Sequence, residues 1–195
     1  TAQGGTVTGS GGKSIGLYSS VGSIYFEEGV SVSCLGGTVT GENGESFGIN
    51  CFGSYIRGGE IAATGGNAAY SCGSYDKMAL LVDAGTFTAT GGEGKRSHGI
   101  YNRDYVELNG GTVTAVGGSG SEESCGVYLA ARQYSDGTSK GTTLTVTGGE
   151  VSATGGSCGV FCDPATDGKV IVITGGVTTA AGNTAWQTVK NAADE

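Results

Sequence analysis

Residues 110–118 read "GGTVTAVGG", and near copies of this unit recur along the whole chain. Self-similarity at a short period is the signature of a stacked architecture, because one such unit cannot bury its apolar side alone and neighbours complete the core. The second glycine of each pair serves as a landmark: Gly5, Gly37, Gly59, Gly85, Gly111, Gly149 and Gly176, with Ala84 replacing a first glycine once. The shortest step, Gly37 to Gly59, sets a unit of 22 residues, and longer steps carry insertions such as 133–141. Seven starts predict about six full coils.

Most units contain three extended segments in fixed order. The first is "GTVT" (5–8, 37–40, 111–114), with "GEIAAT", "GTFTAT" and "GEVSAT" as variants. Its polar–apolar alternation makes a strand with one buried face. The second starts at Gly16, Gly48, Gly73, Gly99, Gly126 and Gly159 and turns Leu17, Ile49, Ser74, Ile100, Val127 and Val160 inward. The third is "VSVSC" (30–34), "MALLV" (78–82), "YVEL" (105–108), "LTVT" (144–147) and "VIVIT" (170–174). Three strands per coil with glycine at the corners, where positive φ and close backbone passage are needed, describe an all-β chain folded as a parallel β-helix, or solenoid, of about six to seven coils. The usual crossover preference makes it right-handed. A propeller blade needs about 40 residues and four strands, and a β-sandwich does not repeat one three-part order. The β-helix is expected over 1–182. Over 183–195 the glycine pattern stops, and Asn183 or Thr184 can start a short helix presenting Trp186 and Val189 as a cap or tail over the open strand edge.

Composition limits the partners. Forty-one glycines against one proline, Pro164, exclude collagen, and 37% apolar residues with 14% charged ones exclude a disordered chain. A net charge of -8 argues against nucleic acid and anionic membrane surfaces. No stretch approaches the roughly 18 apolar residues of a membrane span, so no membrane insertion is expected.

Six cysteines form no CxxC pair and signal no zinc finger. Cys72, Cys125 and Cys158 each precede the second-segment glycine, and Cys51 and Cys162 lie three residues after it. All five have the parity of the inward residues. They read as core thiols, with Cys125 stacked on Cys158, and inter-coil disulfides are the alternative. The single histidine, His98, falls in the same column, and no Gly-x-Ser-x-Gly elbow accompanies it. Neither a catalytic group nor a metal site is expected. The close acid pairs Asp163/Asp167 and Glu42/Glu45 lie in turns without an EF-hand pattern, so the only cofactor reading is weak calcium binding.

The outward residues carry the functional signal. Directly after each inward residue of the second segment comes Tyr18, Asn50, Tyr75, Tyr101, Tyr128 or Phe161. These six are expected to line one face, with Arg103 beside them as a polar or anionic-sugar contact. Rigid aromatic rings flanked by amides and a guanidinium suit sugar rings, whereas rings that cover one another would be structural ladders. A second array, Thr6/Thr8, Thr38/Thr40, Thr86/Thr88 and Thr112/Thr114, suggests an ice-binding face, but Glu60 and Glu150 interrupt it.

The repeated "GGTVTAVGG" followed by "GVY" resembles the right-handed parallel β-helix repeats of secreted and cell-surface proteins of anaerobic bacteria, including pectin-binding carbohydrate-binding modules; the likeness runs over residues 4–179. It implies an extracellular or bacterial cell-surface protein, either a monomer or part of a longer repeat chain. The same fold serves pectate-lyase-like enzymes, whose clustered calcium-binding aspartates have no counterpart on the regular strands. The expected function is therefore non-catalytic polysaccharide or surface-glycan binding. A structural adhesin stalk, a polysaccharide lyase-like enzyme and an ice binder are the alternatives.

Overall fold

The computed structural model describes residues 2–5, 11–163 and 171–188. The chain is all-β and winds as a parallel β-solenoid of about six turns. The described residues contain no helix. Each turn contributes one strand to each of three faces. On the first face Ser31–Leu35, 60–64, 86–90, Thr112–Val116, Glu150–Thr154 and Val177–Ala181 pair in unbroken register. The second face stacks Lys13–Tyr18, 45–51, 70–76, Gly94–Asn102, Gly120–Leu129, Cys158–Cys162 and Thr184–Thr188. The third stacks Ser23–Phe26, 53–56, 79–82, Tyr105–Leu108, Thr143–Val146 and Ile171–Ile173. In the best-formed turns a single strand, Glu45–Thr64 or Tyr70–Thr90, bends round all three faces.

The glycine pairs turn out to be of two kinds. One opens the first face: Gly29, Gly59, Gly85, Gly111, Gly149 and Gly176 all have φ between 72° and 83°, a region other residues avoid. Gly59, Gly85 and Gly111 recur every 26 residues, the spacing of the regular turns. The other kind closes the first face. There Gly36, Gly65, Gly91 and Gly117 donate their N–H to Thr64, Thr90, Val116 and Thr154 of the next turn. Gly4 donates likewise to Leu35, so Gly4–Gly5 and Gly36–Gly37 belong to the closing kind.

This corrects four expectations. The 22-residue step from Gly37 to Gly59 joined two unlike corners. "GTVT" at 37–40 is not a first-face strand, since only Val39 makes a bridge there, and the copy at 6–8 lies outside the described residues. "VSVSC" occupies the first face rather than the third, whose early strands are Ser23–Phe26 and 53–56. Finally, Thr184–Thr188 is not a capping helix but a further strand, pairing Trp186 with Val160. Val189 lies outside the described residues.

The closing corners are held by a serine column. Ser14, Ser46, Ser71, Ser97 and Ser124 stack in register. Ser97 Oγ donates to Gly92 O at 2.7 Å and accepts from Gly118 N at 2.9 Å, linking one turn to the next. Ser46 and Ser124 do the same between Gly37 and Gly66 and between Gly118 and Gly156. The approach is so close that a Cβ on Gly37, Gly66, Gly92 or Gly118 would meet the previous turn's glycine oxygen at 2.1–2.3 Å.

Inside, Ile49, Ile100, Val127 and Val160 join one apolar core with Ile61, Phe87, Val113, Leu80, Val106 and Leu144. The inward column of the second segment is thus as expected, and Cys34, Cys51 and Cys162 belong to the same core. Cys72, Cys125 and Cys158 do not, although fully buried. The alternation slips at the intervening glycine. A Cβ on Gly126 would meet Thr154 N at 2.5 Å and Ala153 C at 2.8 Å, so the glycine itself faces the lumen and the cysteine before it faces the other way.

One charged group is sealed into the core. Asp76 accepts hydrogen bonds from Ser54 (2.6 Å), Ser74 (2.8 Å) and Cys51 (3.2 Å). Burial raises its carboxyl above the usual range, against those hydrogen bonds. The folded state therefore holds this proton more tightly than the unfolded chain. The stabilising contribution is full below the unfolded pKa of about 4 and is lost as pH rises through the folded value. In urea denaturation, the stability of wild type minus that of Asp76→Asn is expected to fall as pH rises above about 4; a difference that grows with pH would contradict the assignment.

Candidate functional site

The second face places the six predicted ladder residues in one outward column: Tyr18, Asn50, Tyr75, Tyr101, Tyr128 and Phe161 are successive register partners. Four of the rings stack. The centroids are 4.9 Å apart for Tyr75–Tyr101, 5.3 Å for Tyr101–Tyr128 and 4.8 Å for Tyr128–Phe161, with interplanar angles of 8°, 13° and 25°. These spacings follow the roughly 4.8 Å rise between paired strands. The flat faces of Tyr101 and Tyr128 are therefore covered by neighbouring rings, and their edges and hydroxyls look outward. Tyr70 and His98 pack beneath, with Tyr70 edge-on to Tyr101 at 5.7 Å and His98 4.7 Å from Tyr128.

The ladder has one missing rung. Asn50 stands where a ring would continue the column, between Tyr18 and Tyr75, and a groove of about 210 Å³ opens there, lined by Lys13, Tyr18, Glu45, Asn50, Tyr75 and Lys77. Phe47 tilts against the near side of Tyr75 at 5.1 Å, while Tyr18 is 57% exposed. Asn50 is 5% exposed, yet its buried Oδ1 has no hydrogen-bond partner. A buried carbonyl oxygen left without a donor costs free energy unless a ligand or water supplies one.

Lys77 also lines the adjoining groove, of about 290 Å³, with Phe52, Met78, Arg103, Arg132 and Gln133. Lys77, Arg103 and Arg132 have no carboxylate within ion-pair distance among the described residues. On a chain with ten Lys and Arg against eighteen Asp and Glu, three unpaired cations in one groove form a local reversal of charge. Burial weighs against the Arg103 charge, but Tyr75 beside it and its hydrogen bond outweigh that and raise the guanidinium. Sequence reasoning found Arg103 and missed Lys77 and Arg132. The signal was available for Lys77: Asp76 and Asn102 are register partners, so the residues after them fall on consecutive turns.

Asp163 is engaged, accepting from the Tyr128 hydroxyl at 2.7 Å and the Ala131 amide at 3.2 Å, and Asp167 lies outside the described residues. Glu45 pairs with Lys13 at 2.5 Å. No group of three or more His, Cys, Asp or Glu among the described residues is placed to hold a metal. His98 is 1% exposed, and burial lowers its imidazole to about 3, so it is neutral at physiological pH. Of the threonine pairs, Thr86/Thr88 and Thr112/Thr114 stack in register with Glu60 and Glu150 on their flanks. Thr38 and Thr40 are off that face, and Thr6 and Thr8 lie outside the described residues. No described helix is long and apolar enough to cross a membrane.

No family model, curated protein or solved structure matches this chain.

Because both faces of its ring are covered, Tyr101 is a structural rung. Tyr101→Ala is expected to lower unfolding free energy by about 2–4 kcal/mol in urea denaturation. An unchanged stability would mean that the stack contributes nothing to the fold.

Proposed function

We propose that the chain is a non-catalytic, extracellular module that binds an acidic polysaccharide along its second face. The observation that carries this reading is the missing rung at Asn50, where an unpartnered buried oxygen sits between two tyrosines and opens, through Lys77, into a groove of unpaired cations. A sugar hydroxyl in the slot approaches the Asn50 amide, whose Oδ1 is buried in the free protein without a donor. The exposed ring of Tyr18 offers an apolar surface for one sugar ring. Lys77, Arg103 and Arg132 meet carboxylate or sulfate groups further along, and bidentate recognition falls to the two guanidiniums. A polymer lying along the solenoid axis meets these side chains in succession, so several weak contacts add without large ordering costs on the protein side. The resemblance to pectin-binding modules points to the same ligand class.

The second reading is a structural stalk, and the covered faces of Tyr101 and Tyr128 favour it, since those rings stiffen the solenoid and offer no free stacking surface. Calorimetric titration with a uronic-acid oligosaccharide and with a neutral oligosaccharide of equal length separates the two. The binding reading predicts preference for the acidic oligomer, weakened by salt and weakened roughly 10- to 100-fold by the Lys77→Ala, Arg103→Ala double variant. Absence of binding to both oligomers would leave the stalk.

A further inference from the structure

Cys125 and Cys158 face each other across neighbouring turns as direct register partners, with Sγ atoms 3.2 Å apart. Paired parallel strands lie about 4.8 Å apart, inside the roughly 4.4–6.8 Å Cα separation that a disulfide spans. The slip at Gly126 and its counterpart Gly159 turns both thiols away from the lumenal core, and both border a surface groove of about 330 Å³ with Arg96, Glu122, Glu123, Ser157 and Phe161. Both cysteines are fully buried, so a small reagent in that groove reaches the sulfurs only once a side chain of the groove wall moves aside, with the lumenal core left closed. Among the described residues they form the one cysteine pair in sulfur contact: Cys72 is paired in register with His98, and Cys34, Cys51 and Cys162 lie in the lumen.

A carboxylate is placed beside them. Glu123 Oε1 is 4.0 Å from Cys125 Sγ, and Oε2 is 4.0 Å from Nε2 of the neutral His98. Burial raises the Glu123 carboxyl, making it a stronger base than an exposed glutamate.

We propose that Cys125 and Cys158 are a redox-active dithiol, closed by a low-molecular-weight disulfide into an inter-turn cystine, with Glu123 as the base for Cys125. The contact with Cys125 draws the Cys158 thiol below its usual range, and the same contact raises Cys125. In the proposed order Cys158, its proton passing to solvent, attacks first as the thiolate, forming a mixed disulfide and releasing one thiolate of the reagent. Cys125 gives its proton to Glu123 and attacks Cys158 Sγ, and the second half of the reagent leaves as a thiolate. Two protein thiols become one cystine, the reagent disulfide becomes two thiols, and the two protons end on the released thiolates. The bond would join two neighbouring turns and close the stretch of chain from Cys125 to Cys158, which carries the Arg132–Gln133 and Ser139–Lys140 hairpin.

The test treats the full chain with hydroxyethyl disulfide and follows intact mass, cross-linked peptides and melting temperature. The expected product has lost two hydrogens, carries no adduct, links the peptides containing Cys125 and Cys158, and melts on the order of 10 °C higher until reductant is added. Cys125→Ser is expected to trap a stable adduct on Cys158. Glu123→Gln is expected to slow closure about tenfold or more while leaving the reduced protein's melting temperature unchanged. No mass loss, or a cross-link between other cysteines, would overturn the dithiol. Closure of Glu123→Gln at the wild-type rate would overturn the role of the carboxylate.

Discussion

Everything in this solenoid depends on how closely one turn's backbone passes the next at the corner that closes the first face. At Gly92 and Gly118 the space for a Cβ is already taken by the carbonyl oxygen of the previous turn. Such an approach leaves peptide groups that strand pairing alone does not satisfy, and the serine column supplies the missing donor and acceptor between turns. Buried peptide groups left unpaired cost about 1–3 kcal/mol each, so glycine and serine must recur together. The repeat is therefore a record of a packing condition rather than of a flexible linker.

Once the turns are locked in register, every side chain becomes a member of a column at the strand spacing. Inward columns fill the lumen with Ile, Val, Leu and Phe, and one outward column brings Tyr75, Tyr101, Tyr128 and Phe161 into a continuous stack. The same register turns isolated departures into local chemistry. One asparagine in the aromatic column leaves a slot with an unpartnered oxygen, and cations on successive turns gather in one groove. The glycine that slips the alternation moves a pair of thiols out of the core and next to a carboxylate.

The architecture and the aromatic column were legible because both rest on a repeated spacing: Ile100, Val127 and Val160 keep a constant offset from their glycines, and so do Tyr101, Tyr128 and Phe161. What was not legible depended on telling apart corners that look alike. Gly36–Gly37 and Gly58–Gly59 have identical letters, and the positive φ of Gly59 and the serine hydrogen bonds at Gly37 distinguish them. Strict alternation placed Cys125 with Val127, whereas the lumen-facing Gly126 separates them. Ring stacking was the other silent feature. A column of outward tyrosines has the same spelling whether the rings lie open to solvent or cover one another.

Equilibrium unfolding of Gly118→Ala, compared with Ser119→Ala one residue on, tests the dependence on close passage most directly. Gly118 does not have positive φ, so alanine there changes the space and not the allowed backbone conformation, while Ser119 is exposed. Close passage predicts a loss of more than about 3 kcal/mol, or failure to fold, for Gly118→Ala and a near-neutral Ser119→Ala. Wild-type stability in Gly118→Ala would contradict it.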